Sequence, residues 1–81
     1  MKLFEFKLLD ETEQIDSVYK SGVYIGKRKQ DRWIVLLYQV DSFYVELYYK
    51  KYRHQVIAIK SSASTNILDP YLAQIEVVDL V

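Results

Sequence analysis

Chemistry in this chain would have to come from a few groups of residues. His54 is the single histidine. It follows Arg53, and no nucleophile or carboxylate stands near it at a spacing that would make it a general base. Asp10, Glu11, Glu13 and Asp16 form a carboxylate set of the kind that attracts a hard cation. On a short helix, however, the same residues serve as cap, first-turn dipole partners and solvated face. Ser61, Ser62 and Ser64 lack the Gly-x-Ser-x-Gly frame of a nucleophile elbow and read as turn and cap. Gly22 and Gly26 are too few to cradle a phosphate. The chain has no cysteine, which removes thiolate zinc sites and disulfides. The sequence predicts a protein that is not an enzyme and that carries no metal and no cofactor.

Charge and aromatic rings remain. The formal net charge is zero, but it is unevenly spread: Lys20 to Lys60 holds nine Lys or Arg against three Asp or Glu, and the rest of the chain two against eight. Lys27, Arg28, Lys29 and Arg32 precede one hydrophobic run, and Lys50, Lys51 and Arg53 follow the next. These are the candidate anion-binding residues. Tyr24, Trp33, Tyr44 and Tyr48 are the candidate interface residues, because Tyr and Trp are enriched where proteins meet.

The elements that position these residues centre on Arg32 to Lys50, RWIVLLYQVDSFYVELYYK. Two aromatic-rich runs flank a polar break at Asp41 and Ser42, the pattern of an antiparallel hairpin. Pairing Val40 with Phe43 sets Tyr38 against Val45, Leu36 against Leu47 and Ile34 against Tyr49, all on one face. Leu36 and Leu47 are expected to be adjacent and buried. Without a glycine for a primed two-residue turn, a four-residue loop in the same register is expected. Trp33, Tyr44 and Tyr48 fall on the opposite face.

Before the hairpin, Leu3 to Leu8 alternates and reads as a short strand. Asp10 and Glu13 make a capping-box pair, and Ile15, Val18 and Tyr19 follow helical spacing. This predicts a helix from Glu11 to Lys20, stopped by Gly22. A strand from Val23 to Lys29, turning at Gln30 and Asp31, would set Ile25 against Leu36 and Arg28 against Trp33. The latter is a candidate cation–π pair. Gly26 in mid-strand marks a bulge or a close contact. After a polar loop, Val56 to Lys60 is a strand whose faces the pattern leaves open. A connector rich in N-cap residue types then leads to a helix whose regular part starts at Asp69, with Pro70 in its first turn. Glu76 to Val81 suits a last strand or a packing arm.

The fold expected is a single α+β domain over residues 1–81. It is a four-stranded antiparallel meander with an N-terminal and a C-terminal helix, and an extra strand is allowed at each end. If the helices share one face, the other is left open, and a second subunit would cover it. Alternate turns of a meander lie at one end of the sheet, so the candidate basic residues are expected to gather into one pole.

The run of four strands and a helix from Gly22 to Ile75 resembles, in topology, the PUR-repeat and Whirly-type domains. That resemblance implies pairing into dimers and binding of single strands over aromatic and basic sheet surfaces. Two functions are expected from these features. The first is a non-enzymatic interaction protein that forms a homodimer through its aromatic face. The alternative is a single-stranded nucleic-acid binder, which zero net charge disfavours. Charges interrupt MKLFEFKLLDE too often for a signal peptide, and no apolar run approaches the ~20 residues of a membrane span. A cytoplasmic protein with no membrane partner is expected.

Overall fold

The computed structural model describes residues 1–50 and 55–72. The order of elements is α1 (Leu3–Leu8), α2 (Glu11–Ser21), β1 (Val23–Gln30), β2 (Trp33–Val40), β3 (Phe43–Lys50) and β4 (Val56–Ser62). A 3-10 turn at Thr65–Leu68 follows, and residues 69–72 continue helically. The strands form one antiparallel sheet in the order β1-β2-β3-β4. This is the expected α+β meander. Lys51, Arg53, His54 and the tail at 76–81 lie outside the described residues. Among those described, no helix is long and apolar enough to cross a membrane.

The expected N-terminal strand is a helix instead. Leu3, Phe6 and Leu9 are spaced by three, and a helix turns all of them to the core; Phe6 is fully buried with its ring 5.3 Å from Phe43. The two periods share only Phe6 as an inward position, and its contact with Phe43 decides for the helix. The helix also satisfies its own backbone: Leu9 donates its N–H to Phe6 O at 3.1 Å, an oxygen that also accepts Gln14 Nε2 at 3.0 Å. Phe4 and Leu8, read as inward positions of a strand, are exposed.

In α2 the capping box forms in both directions: Glu13 N–H donates to Asp10 Oδ1 at 2.8 Å, and Asp10 N–H to Glu13 Oε1 at 3.3 Å. Gly22 ends the helix, although not in the left-handed conformation expected of a C-terminal glycine, since its φ is −79°. Close approach explains the residue type: a Cβ there would lie 2.5 Å from Val18 O.

The β2–β3 pairing is the predicted one, from Val40–Phe43 through Leu36–Leu47 to Ile34–Tyr49. The loop is two residues rather than four. Asp41 takes a φ of 52°, which Asp tolerates better than most side chains. At the β1–β2 turn Asp31 does the same, with a φ of 54°. Gln30 thus pairs with Trp33, and Arg28 lies opposite Val35, two residues from the expected register. Gly26 marks a register shift, after which Tyr24 pairs with Tyr38. This bulge moves Tyr24 to the other face of the sheet from the one its spacing predicted.

The two faces are covered differently. On one, Val45, Leu47, Val40 and Phe43 pack with Phe6 of α1 and Val18 of α2. Ile59, paired with Leu47, joins this side, as does Val56 beyond a second bulge. Leu47 is fully buried, whereas its partner Leu36 is half-buried. The opposite face is not left open. Val35 and Leu37 are fully buried there, and Tyr71, from the helical residues after the 3-10 turn, is buried as well.

Candidate interaction surface

The second face is closed by a buried polar cluster. Glu46 stands mid-strand between Val45 and Leu47 and is 4% exposed. A carboxylate at that depth requires partners. Arg28 reaches across from β1 and donates Nε and Nη2 to Glu46 Oε2 at 3.2 and 3.1 Å. Tyr71 donates its hydroxyl to the same oxygen at 2.6 Å, and Tyr48 donates to Oε1 at 3.4 Å. The Arg28 guanidinium lies 5.9 Å from the Tyr48 ring centre and 5.7 Å from that of Tyr71. Lys60 Nζ sits 5.4 Å from the Tyr48 ring centre. Burial, then the bond to Glu46, push the Tyr71 hydroxyl well above the ordinary phenol range. No buried side-chain polar atom among the described residues lacks a partner.

This cluster redistributes the candidate interface residues. Tyr48, 6% exposed, belongs to the chain's own interior, while Trp33 and Tyr44 are half-buried. Tyr24, 54% exposed, lies on the opposite side and meets Tyr38 edge-on at 5.7 Å. The four therefore do not form one surface. Arg28 also leaves its expected partner, Trp33, for Tyr48 and Tyr71.

A different aromatic group is open. The helices cover the β3–β4 half of their face more fully than the β1–β2 half, where Ile34, Leu36 and Tyr38 are only half-buried. Tyr19, on the flank of α2, is 58% exposed, and its hydroxyl bonds that of Tyr49 at 2.5 Å. Burial, then the charges that Tyr19 and Tyr24 would carry if ionised, raise the Tyr38 pKa. Burial and the Tyr19 bond raise that of Tyr49. Tyr19, Tyr24, Tyr38 and Tyr49 thus line one half-covered region, while Val23, paired with Gln39, stands on the other face of the sheet. Spacing could have pointed to Tyr38 and Tyr49 through their shared alternation. Only tertiary structure adds Tyr19.

The basic residues divide as well. Arg28 is withdrawn into the ion pair with Glu46. Lys27 pairs with Leu36 and Lys29 with Ile34, so both stand on the tyrosine side of the sheet. Arg32 and Lys50 remain at the end of the sheet, where Lys50 pairs with Trp33. None of Lys27, Lys29, Arg32 or Lys50 takes part in an ion pair among the described residues.

The remaining candidate groups are engaged structurally. Asp10 and Glu13 cap α2, and Asp16 pairs with Lys20 at 2.9 Å. Ser62 Oγ accepts the Ser64 N–H at 3.0 Å, and Ser64 Oγ accepts the Asn66 N–H at 3.2 Å. Beside them a cleft of about 570 Å³ is lined by Lys7, Glu46, Lys60 and Ile67 among others. Among the described residues, no three His, Asp or Glu side chains gather to hold a metal ion. Comparison with protein-family models, with curated proteins and with solved structures finds no match.

Proposed function

We propose that this protein is a non-enzymatic interaction module that self-associates through the half-covered tyrosine region of its sheet. The observation that carries the reading is the exposure of Tyr19 and Tyr24, at 58% and 54%, around half-buried Tyr38. Large apolar side chains grouped on a surface cost free energy in water and are characteristic of contact sites. Tyrosine is well suited to such contacts, since it buries a large ring with little loss of side-chain entropy and keeps a polar tip. Sedimentation velocity tests the reading. The wild type should sediment as a dimer at about 100 μM, and Tyr24→Glu as a folded monomer, because a carboxylate buried without a partner is costly. A monomeric wild type, or a Tyr24→Glu variant of unchanged mass, refutes it.

A second reading, binding of single-stranded nucleic acid, draws on one observation: Lys27 and Lys29 share a sheet side with Tyr24 and Tyr38. Rings that stack on bases beside cations that meet phosphates are the elements of such a site. Fluorescence anisotropy with labelled single-stranded DNA separates the two readings. Binding that weakens steeply with salt favours nucleic acid; no binding at ~50 mM salt and ~100 μM protein removes it.

A further inference from the structure

We infer that the open edge of β4 binds an extended acidic segment of another protein, which adds to the four-stranded sheet as a further strand. The site lies away from the tyrosine region and goes beyond the self-association proposed above.

The parity of the hairpin carries the first step. In a two-residue hairpin the residues flanking the loop exchange their backbone bonds, as Val40 and Phe43 do here. Every second residue of β3 then faces β2, and Tyr44, Glu46 and Tyr48 direct their backbone groups at β4. Their partners Ser62, Lys60 and Ala58 are satisfied in this way. Ile59 and Ser61, between them, turn their N–H and C=O groups out of the sheet. β4 ends the sheet, and no described strand, loop or turn pairs with these groups. A row of backbone donors and acceptors is complementary to the backbone of another extended chain.

The surroundings set the chemistry of that chain. The cleft of about 570 Å³ is lined from both faces of the sheet, by Ile59 and Ser61 on one and by Lys60 and Ser62 on the other. Lys7 of α1 and Ile67 of the 3-10 turn flank it, so it runs along the edge rather than over either face. Lys7 and Lys60 are exposed and take part in no ion pair among the described residues. Glu46 also lines the cleft, but its charge is met by Arg28. An added strand alternates its side chains, so two consecutive carboxylates would meet one lysine on each side. A second copy of β4 fits less well, because it would bring two further lysines to the same junction. The β1 edge is poorer ground, since a bulge breaks it between Tyr24 and Gly26. In β4 the bulge lies beyond Ala58 and leaves residues 58–62 regular.

The probe is a blocked octapeptide of alternating Val and Thr with two Glu at its centre, titrated to ~1 mM and followed by the amide NMR signals of the full chain. The amides of Ile59 and Ser61 should shift, and those of Lys27 and Lys29 should not. Methylating one alternate set of peptide amides should abolish binding, and methylating the other set should not, because a strand pairs along one edge at a time. Lys7→Glu with Lys60→Glu should weaken binding at least about tenfold and favour the same peptide with two central Lys. Lys60 also lies over the Tyr48 ring, so Lys7→Glu alone, at an exposed site, is the second variant if the pair fails to fold. Tyr24→Glu should bind the peptide as the wild type does, whatever its own oligomeric state. The inference is overturned if no shift appears at ~1 mM, if β1 responds instead, if neither methylation matters, or if the charge changes leave affinity unaltered. It is also overturned if the Ile59 and Ser61 amides are protected from hydrogen exchange in the protein alone. Protection that persists on dilution would assign the edge to the chain's own residues, and protection lost on dilution to a second copy.

Discussion

Arg28 on β1 and Glu46 on β3 form an ion pair that spans the intervening strand, with Nε and Nη2 of the guanidinium both directed at one carboxylate oxygen at 3.2 and 3.1 Å. The pair lies over the fully buried Val35 and Leu37 of β2. Because Tyr71 donates to the same oxygen, it also fixes where the chain after β4 returns to the sheet.

That arrangement predicts strong non-additivity. Glu46 is 4% exposed, so Arg28→Met strands a buried carboxylate and should cost about 3–5 kcal/mol. Arg28→Met combined with Glu46→Leu removes the stranded charge and should recover much of that loss. Urea unfolding of the four species closes the cycle; a double variant as unstable as the sum of the singles would contradict the account.

The adjacent leucines of the central hairpin should differ. Leu47→Ala empties a fully buried site and is expected to cost about 2–5 kcal/mol. Leu36→Ala, at a half-buried site in the less covered half of the face, should cost clearly less. Equal losses in denaturant unfolding would mean that the β1–β2 half is as well covered as the rest.

Tyr71 predicts an alkaline limit. Its pKa is raised in the folded protein, so the folded state holds the phenolic proton more tightly than the unfolded chain. The resulting stabilisation is complete below the unfolded value of about 10 and is lost as pH rises past it towards the folded value. Tyr71→Phe should cost about 1–3 kcal/mol at pH 7 and flatten the fall of stability above pH ~10. Unfolding midpoints between pH 8 and 11.5 check both effects, and an unchanged slope in the variant would assign the alkaline loss elsewhere.

How much of this was legible from sequence follows the physics of each segment. The β2–β3 pairing was readable because alternation with period two admits one register, and a slip by one residue would invert both faces. The α2 cap was readable because Asp10 and Glu13 satisfy each other locally. The segment at Leu3 was not, since six residues suit either period and the choice is made by Phe6 meeting Phe43. The side of Tyr24 was not, because one extra residue at a bulge reverses every position beyond it. The candidate interface therefore moved from Trp33, Tyr44 and Tyr48 to the group around Tyr24. Glu46, in an otherwise apolar run, did carry a signal: a carboxylate between two core positions needs a cation, and Arg28 shares its side of the sheet.

The two glycines should respond to alanine in opposite ways. Neither has a positive φ, so the difference lies in the space around each. At Gly22 a Cβ would meet Val18 O at 2.5 Å, against backbone that can yield only by opening the end of α2. Gly22→Ala is expected to cost about 1–3 kcal/mol through that forced shift. At Gly26 the nearest atom is Tyr71 Cδ1 at 3.4 Å, an ordinary contact, and alanine also restricts the unfolded chain. Gly26→Ala should therefore stay within about 1 kcal/mol of the wild type. Gly26→Val brings branched methyls against the same ring and should lift Tyr71 from Glu46, since overpacked sites move what they touch. Its signature is specific: stability falls at pH 7, and the alkaline slope flattens as in Tyr71→Phe. A Gly26→Val variant that is destabilised but keeps the full alkaline slope would show that Tyr71 does not depend on the space Gly26 leaves.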